Sequence, residues 1–431
     1  MNLTLQAPRL PVCCSGPGTR RRFLRNAGLL AGAGVITSQT GTSFLQAARA
    51  STGGSINAGG NVVLVLSMRG GSDGLSLCVP YSEPFYGIAR PRIAIPENTL
   101  LAKDGTFGLH PQFAPLMPMW NDGSFAVVNA VGLANPNRSH FAAMEEVEDA
   151  DTGSPERRGW VNRLVGLDEQ VSPIEATQIG SAIVPTSLYG EAPVLAFTDI
   201  DDMSLPGRDD PVGYDRRVKS LREAWKNDTT ALGRGAESAI EVSKDFDGIA
   251  GGPGDPLNGA VYPDGDLGKS LADAARLIRA DIGAEVITID AGAWDMHVNV
   301  GDVGGGQLKQ AVGELALGVK AFFQDIGPDI ASRVTIVTIS EFGRRVTENA
   351  SGGLDHGWGN LMMLFGAGVK GGQYHGSWPG LSLVDLLDGD LKVTNDYRDV
   401  LAEVVGHRFD VDLSNVFPNF VRNPLGVMLP A

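Results

Sequence analysis

The chain alternates short runs of apolar, β-branched residues with longer stretches in which apolar residues recur at helical spacing. The short runs are typical of buried strands, and the helical spacing is typical of amphipathic helices. Strands are predicted at 61–67, 125–131, 176–179, 194–197, 285–290, 334–339 and 361–365. Helices are predicted at 111–120, 140–148, 215–226, 230–245, 267–279, 307–324 and 397–405. Strands that alternate with helices predict an α/β fold with a mostly parallel central sheet and helices on both faces.

The N-terminal segment does not follow this pattern and is interpreted as an export signal. Residues 20–24 (RRRFL) resemble the twin-arginine motif, an apolar run follows at 27–36, and 48–50 (ARA) offers a cleavage site. The alternative is a disordered basic N-terminus. We expect a twin-arginine signal peptide at 1–50, a Gly/Ser linker at 51–60, and a periplasmic or extracellular protein.

The remainder of the chain, 61–431, is expected to form a single domain. Hydrophobic residues make up 43% of the whole sequence, which suffices for a large core. The stretch 151–265 has the least regular pattern and is expected to be an insertion or cap. No apolar run in 61–431 has membrane-spanning length, so we expect no membrane span in the mature protein.

Charge and cysteine content restrict the partners and the covalent structure. Loss of 1–50 would remove six arginines and no acid, which makes the formal net charge of −15 six units more negative. Such an acidic protein is a poor candidate for binding nucleic acid or anionic membranes. Two of the three cysteines lie in 1–50, so Cys78 alone would remain and internal disulfides are excluded.

Acidic, histidine and arginine side chains follow two of the predicted strands. In an open α/β sheet, ligands bind beyond the carboxyl ends of the strands. The two sets therefore predict one site for a metal or a polyanion. The first set follows 285–290 and the second follows 334–339: Asp295 and His297, then Glu341, Arg344, Asp355 and His356.

Two further loops carry candidate residues. Arg69 and Asp73 follow the first strand, and Asp73 is either a ligand or a turn residue. Arg138, Ser139 and His140 precede the predicted helix at 140–148. The start of a helix favours an anion or an attacking alkoxide, so Ser139 is either a nucleophile or simply the helix cap. The oxygens of an anion could be bound by Arg69, Arg138 and Arg344, although each could instead form a surface ion pair.

Several motifs resemble a bacterial family known as domain of unknown function 1501. The motifs are NVVLVLSMRGGSDGLS, NRSHF, DMH, TISEFGR and DHGWGN, and the resemblance runs from about Asn61 to Phe420. That family is similar to the alkaline phosphatase and sulfatase superfamily. The resemblance implies a single alkaline phosphatase-like α/β domain and the ancestry of a metal-dependent hydrolase.

The superfamily resemblance also implies roles for individual residues. Asp73 resembles the first metal ligand, and Asp295 with His297 resembles the middle pair. Glu341 resembles the acid of the next pair, but Phe342 stands where its histidine would be. His356 resembles the last histidine of the superfamily's ligand set, and Asp355 precedes it in the sequence.

The nucleophile position departs from the sulfatase pattern. Sulfatases resemble one another in carrying Cys or Ser two residues before Pro and four before Arg. Here Ala134 holds that position, ahead of Pro136 and Arg138. Sulfatase chemistry through a modified cysteine is thereby excluded, and hydrolysis through Ser139 or through water remains open. Arg138, Ser139, His140 and Arg344 are the candidate catalytic residues, and Arg69 is a candidate for substrate binding.

These features lead to two alternative functions. The first is an exported metal-dependent hydrolase that acts on phosphate or sulfate esters. The second is a non-catalytic relative that binds a metal or an anionic glycan at the cell envelope. Oxygen and imidazole ligands suit Zn²⁺, Mn²⁺ or Ca²⁺. The expected partner is a small anionic ester or glycan, and no protein partner is assigned.

Overall fold

The structure is a computed structural model that describes residues 59–168, 171–203, 210–228, 230–249 and 254–430. The predicted signal peptide at 1–50 and most of the linker at 51–60 lie outside the described residues. None of the helices in the described ranges is both long enough and apolar enough to cross a membrane.

The strands form one large sheet and one small one. Within the described residues, nine strands join the large sheet in the order β10-β4-β9-β8-β1-β7-β5-β6, with β11 also paired to β4, and β2 pairs with β3. Their bounds are Val62–Ser67 (β1), Cys78–Val79 (β2), Gly108–Leu109 (β3), Phe125–Gly132 (β4), Ala176–Ile179 (β5), Leu195–Phe197 (β6), Val286–Asp290 (β7), Val334–Ile339 (β8), Asn360–Gly366 (β9), Tyr374–His375 (β10) and Asn395–Asp396 (β11).

The large sheet is mostly parallel, as predicted. β1 pairs in parallel with β7 and β8, and β5 pairs in parallel with β7 and β6. β9 is the exception, because it runs antiparallel to both β8 and β4. Since β9 reverses the direction twice, β4 points the same way as β8. The carboxyl ends of β1, β4, β7 and β8 therefore lie at one edge of the sheet.

The helices also follow the predicted order. Their bounds are Gly74–Leu77 (α1), Pro84–Ala89 (α2), Met117–Asn121 (α3), His140–Asp149 (α4), Trp160–Val165 (α5), Pro211–Trp225 (α6), Ala231–Asp245 (α7), Asp266–Ala280 (α8), Gln307–Ala331 (α9), Tyr397–Arg408 (α10) and Leu413–Val416 (α11), with 3₁₀ turns at Glu97–Thr99, Pro111–Leu116, Thr186–Leu188, Ile200–Met203 and Phe246–Gly248. The helix predicted at 111–120 is thus a 3₁₀ turn followed by α3. Pro115 and Pro118 lack the N–H groups that a continuous α-helix would need there.

Helices cover both faces of the sheet, and β1 shows why. Leu64 and Leu66 pack on the face that α8 and α9 cover. Val63 and Val65 pack on the opposite face, against α4, α5 and α10. Successive side chains of a strand point to opposite faces, so a strand that is apolar throughout needs cover on both sides.

The stretch 151–265 does not form a cap as a whole. Its strands β5 and β6 extend the central sheet beyond β7. These two strands therefore belong to the sheet and not to an insertion or cap. The pattern there looked irregular because both strands are short. An insertion or cap remains a prediction for α6 and α7, which pack on each other through Tyr214, Val218 and Ile240.

Candidate metal centre

Three imidazoles and one carboxylate meet at the carboxyl edge of the sheet. His140 is the first residue of α4, after β4, while Asp295 and His297 follow β7 and His356 follows β8. We call these four side chains the histidine cluster. The Nε2 atom of His356 lies 2.9 Å from Nε2 of His140 and 2.9 Å from Nε2 of His297. Asp295 Oδ1 lies 3.0 Å from Nε2 of His297 and 3.5 Å from Nε2 of both His140 and His356.

The second ring nitrogen of each histidine has an acceptor outside the cluster. His356 Nδ1 lies 2.9 Å from the carbonyl oxygen of Arg138, which can only accept a hydrogen bond. His140 Nδ1 lies 2.8 Å from the Glu341 carboxylate, and His297 Nδ1 lies 3.2 Å from that of Asp355. These partners assign the proton to Nδ1 in each neutral ring, so the Nε2 lone pairs of His140 and His297 both face that of His356. Nε2 of His297 also lies 3.5 Å from a terminal nitrogen of Arg344.

Converging lone pairs repel unless a cation lies between them. Two imidazoles at 2.9 Å can share one proton, but His356 faces two such neighbours at once. Donors that are each about 2.0–2.1 Å from a tetrahedral zinc ion lie roughly 3.3 Å apart. The separations within the histidine cluster fit this value. The outer hydrogen bonds to carboxylates and a carbonyl are those that metal-binding histidines usually make.

Arg344 connects the loops that carry the histidine cluster. Its guanidinium donates to the carbonyls of Gly70, Gly71, Trp294 and Leu354 and, at 2.6 Å, to Asp295 Oδ1. Burial alone would raise the pKa of the Asp295 carboxyl, but the hydrogen bond and charge of Arg344 lower it below the usual value. Arg344 thereby keeps Asp295 ionised and holds it in place.

Two glycines allow these loops to approach so closely. A Cβ atom on Gly70 would lie 2.5 Å from the backbone nitrogen of Asp295, and one on Gly71 would lie 2.6 Å from the Phe342 ring. Both glycines also have positive φ, of 108° and 66°. The Phe342 ring in turn packs 4.8 Å from the His140 ring. The Gly-Gly pair therefore allows close packing under the histidine cluster.

The histidine cluster is reachable from solvent. The side chain of Asp295 is 49% exposed, and that of His297 is 40% exposed. Burial lowers the pKa of His356, and the nearby charge of Arg344 lowers it further. A neutral imidazole is the form that binds metals, so this environment suits a ligand.

The structure changes the roles of three predicted residues. Glu341 and Asp355 were predicted as metal ligands, but each binds the outer nitrogen of a histidine. Glu341 Oε1 also accepts the N–H of Gly70 at 2.8 Å, so the buried carboxylate is already in use. His140 was predicted as a catalytic residue, but its Nε2 lies with Asp295 and His356 in a group that could hold a metal ion.

Asp73, the predicted first ligand, has a different partner. Its two oxygens lie 2.6 and 2.9 Å from the guanidinium of Arg90, which is fully buried. Asp73 is also not among the described residues whose ligand atoms come together with those of His140 and His356. This corrects the predicted role, and the ion pair instead fixes the loop after β1.

Arg69, predicted to bind substrate, is held by two carboxylates. It donates to Asp290 and to Glu148, each at 2.7 Å. Those bonds use its Nε and one terminal nitrogen, so Arg69 links the ends of β1, β7 and α4 instead of facing the histidine cluster as a free cation. Arg344, predicted as a catalytic residue, is likewise saturated by protein acceptors.

Arg138 and Ser139 lie directly before the first residue of α4. Arg138 forms an ion pair with Asp390, and its carbonyl accepts the hydrogen bond from His356. Ser139 is exposed, and its hydroxyl makes no hydrogen bond to the helix. Capping, the alternative interpretation of Ser139, is therefore not seen.

Sequence reasoning missed Arg90, Arg345, Asn349 and Asp390. Asn349 donates to the carbonyl of His297 and to the carboxylate of Asp355, which holds that pair together. Asp390 accepts hydrogen bonds from both Arg138 and Arg345. A charged residue such as Asp390 in a loop has no local signal of burial, because its burial depends on partners far away in the chain.

Comparison with known protein families gives one match. Residues 226–417 match the model of a family described as a protein of unknown function (DUF1501). The matched range includes Asp295, His297 and His356, while His140 lies before it. The match supports a domain of unknown function at 226–417. No curated protein matches the sequence.

Proposed function

We propose that this protein is an exported, metal-dependent hydrolase of phosphate or sulfate esters. The observation that carries the proposal is that ligand atoms of His140, Asp295 and His356 lie within 4.8 Å of one another, with Nε2 of His297 2.9 Å from that of His356. In the proposal, His140, His297, His356 and Asp295 hold the metal. The resemblance to the alkaline phosphatase and sulfatase superfamily supports the reaction class, and the twin-arginine motif supports export to the periplasm or beyond.

The donor set favours zinc among the metals considered. Calcium takes six to eight oxygen ligands, whereas this set offers mainly nitrogen. Imidazole and carboxylate together suit Zn²⁺, with Mn²⁺ as the next choice. A divalent cation at this position would polarise the ester and offset its negative charge.

The chain's own residues would orient the ligands and admit the substrate. Arg344 holds Asp295, while Glu341 and Asp355 fix two of the imidazoles by accepting their Nδ1 protons. The exposure of Asp295 and His297 leaves one side of the histidine cluster open to solvent. An ester could approach from this side without a rearrangement of the sheet.

Ser139 is the proposed nucleophile, with water as the alternative. It immediately precedes His140, and its hydroxyl is not used as a cap. The ten-residue helix α4 begins beside it, and a helix N-terminus stabilises developing negative charge. Nucleophile and ligand would then come from adjacent residues.

Elemental analysis and an ester panel test the proposal. The purified protein should bind about one zinc or manganese ion and hydrolyse at least one aryl phosphate or aryl sulfate. His356→Ala should lose both properties, because His356 contacts two other ligands. His375→Ala is the matched control, since the His375 ring binds only the carbonyl of Lys370. Metal content in His356→Ala equal to that of the wild type would refute the centre.

A non-catalytic binding protein is the second candidate. The observation in its favour is that two of the three predicted anion-binding arginines are engaged by protein groups, since Arg69 pairs with two carboxylates and Arg344 donates to Asp295 and several carbonyls. In that case the protein would bind one metal ion but turn over no ester in the panel. Affinity for sulfated or phosphorylated glycans without hydrolysis would then support a role as a binding protein at the cell envelope.

A further inference from the structure

Two arginines beside the histidine cluster share one buried carboxylate. Asp390 is fully buried, and its Oδ2 accepts from Nε of Arg138 at 3.0 Å and also from a terminal nitrogen of that residue. Its Oδ1 accepts from Nε of Arg345 at 3.1 Å. We call Arg138 and Arg345 the arginine pair. The shared carboxylate fixes both guanidinium groups on one small region of the surface.

The arginine pair carries an excess of positive charge that still faces solvent. Two guanidinium groups form ion pairs with one carboxylate, and the side chains of Arg138 and Arg345 are 42% and 41% exposed. The carboxylate of Asp355 is also near Arg345, whose charge helps to lower the pKa of Asp355, but Asp355 bonds to His297 and Asn349 instead of the arginine. Arg345 also donates to the carbonyl of Asp388, which leaves its charge unchanged. The Nη1 groups of both arginines have no partner among the described residues, so each guanidinium retains donors for a ligand.

The other arginines predicted to bind an anion lack this property. Arg69 is neutralised by two carboxylates, and Arg344 is 2% exposed and donates to four carbonyls. A fork of free N–H groups suits the oxygens of phosphate or sulfate, which arginine binds in a bidentate manner. The chain as a whole has a net charge of −15, which repels anions. A local excess of positive charge therefore marks a place where an anion could bind.

The arginine pair adjoins the histidine cluster but lies behind one of its rings. The main chain of Arg138 faces the Nδ1 side of His356, whereas the Nε2 side faces the cluster. The backbone N–H of Arg345 donates to the carbonyl of Asp355 at 3.0 Å, one residue before His356. An anion on the arginine pair would thus be a neighbour of the group at the histidine cluster and not the same group.

We infer that the arginine pair is an oxyanion subsite, which binds a phosphate or sulfate group of the substrate other than the one at the histidine cluster. This inference rests on the proposed function and narrows it, because the substrate must then carry at least two anionic groups. Asp390 serves as a positioning residue that orients both guanidinium groups.

Calorimetric titration of inorganic sulfate and of inorganic phosphate tests the subsite. The purified protein is first treated with a chelator, so that an anion cannot bind through a metal. The wild type should bind one anion per chain at low ionic strength. Arg345→Gln and Arg138→Gln should each weaken binding by about tenfold or more, as expected for loss of a charged hydrogen bond. The anion affinity of Arg345→Lys should lie between those of the wild type and Arg345→Gln, because lysine keeps the charge but lacks the paired N–H donors of a guanidinium group.

Arg157→Gln is the matched control and should bind sulfate like the wild type. Arg157 is 59% exposed and pairs with Glu145, outside the arginine pair. Thermal unfolding checks that each variant is folded. Wild-type protein without saturable anion binding, or an Arg345→Gln variant that binds as tightly as the wild type, would overturn the inference. Since the titration needs neither metal nor turnover, its failure is distinguishable from failure of the proposed hydrolase.

Discussion

The Nε2 atoms of His140 and His356 lie 2.9 Å apart, although 216 positions separate the two residues in the chain. The contact depends on the direction of β4. β4 is joined to β8 through the antiparallel strand β9, so all three run in alternating directions and β4 ends at the same edge as β8. The loop after β4 consequently delivers His140 to the histidine cluster as its third imidazole.

The hydrogen bond between Glu341 and His140 leads to a prediction about metal affinity. Glu341→Gln keeps the size of the side chain but removes the charge that orients the His140 ring. Outer partners of metal-bound histidines typically contribute a factor of about 10–100 in metal affinity. Zinc affinity, measured by competition with a coloured chelator, should fall by that factor while the ion can still bind.

A substitution elsewhere separates this effect from a general change in charge. Glu314 accepts a hydrogen bond from Gln310 within helix α9, and Glu314→Gln should leave zinc affinity unchanged. Equal affinities for Glu341→Gln and the wild type would show that the Glu341 carboxylate does not support the histidine cluster.

The fold was largely predictable because its strands are strongly apolar. β5 and β8 were predicted with their observed bounds, and β1, β4 and β7 to within one residue at each end. Burial on both faces makes such strands read as continuous apolar runs. The antiparallel direction of β9 was not predictable, because an apolar run does not reveal which way a strand is paired.

The candidate site was predictable as a location but not in its detailed roles. The rule that ligands bind beyond the carboxyl ends of strands placed Asp295, His297 and His356 together correctly. Whether an acid binds a metal or a neighbouring side chain depends on three-dimensional distances. Asp73 lies 17 positions from Arg90, and no local pattern predicts their buried ion pair. The contact between Glu341 and His140 was missed for the same reason.

Glu175 leads to a prediction about stability and pH. The residue precedes β5 and is fully buried, and burial outweighs a main-chain hydrogen bond from Ser172 in setting the pKa of its carboxyl. Burial raises the pKa of Glu175 to about 7. The unfolded chain has a glutamate pKa of about 4.3, so the folded state binds more protons between these values. The free energy of unfolding should therefore fall as the pH rises from about 4 to about 7.

Glu175→Gln removes this dependence and serves as the test. Above pH 7 the variant should be more stable than the wild type, by up to roughly 3 kcal/mol, and near pH 4 the two should be similar. Urea unfolding at a series of pH values measures the difference. The exposed residue Glu156 offers a control, since Glu156→Gln should not change the pH profile. A constant difference between Glu175→Gln and the wild type from pH 4 to pH 8 would exclude ionisation of Glu175 as the cause.

Export is a prediction that depends on the N-terminal sequence alone. Replacement of Arg20 and Arg21 with Lys should abolish translocation, because the twin-arginine motif requires both guanidinium groups. The unaltered precursor should be cleaved after Ala50, which N-terminal sequencing of the secreted protein would show. Arg9→Lys is the control, since Arg9 lies before the motif. Normal periplasmic levels of the Arg20 and Arg21 double variant would count against this route.

Ser139 separates a hydrolase from a metal-binding relative. Its hydroxyl is exposed and does not cap α4, so Ser139→Ala should change the free energy of unfolding by less than the ~1 kcal/mol usual for a lost cap. Metal content should also be unchanged, because the histidine cluster does not include Ser139. If Ser139 is the nucleophile, the same variant should lose ester hydrolysis entirely and should not accumulate a covalent intermediate.

The matched control for Ser139→Ala is Ser154→Ala, which removes a hydroxyl from the next loop along the chain. The hydroxyl of Ser154 bonds to the main chain of Glu156, away from the histidine cluster, so Ser154→Ala should retain full hydrolysis. Steady-state rates on the aryl ester that the wild type hydrolyses fastest provide the comparison, with zinc supplied to all three proteins. Full activity of Ser139→Ala would assign the attack to water, because no other hydroxyl adjoins His140 in the sequence. Loss of hydrolysis together with loss of zinc would instead show that Ser139 supports the histidine cluster, and the nucleophile assignment would be withdrawn.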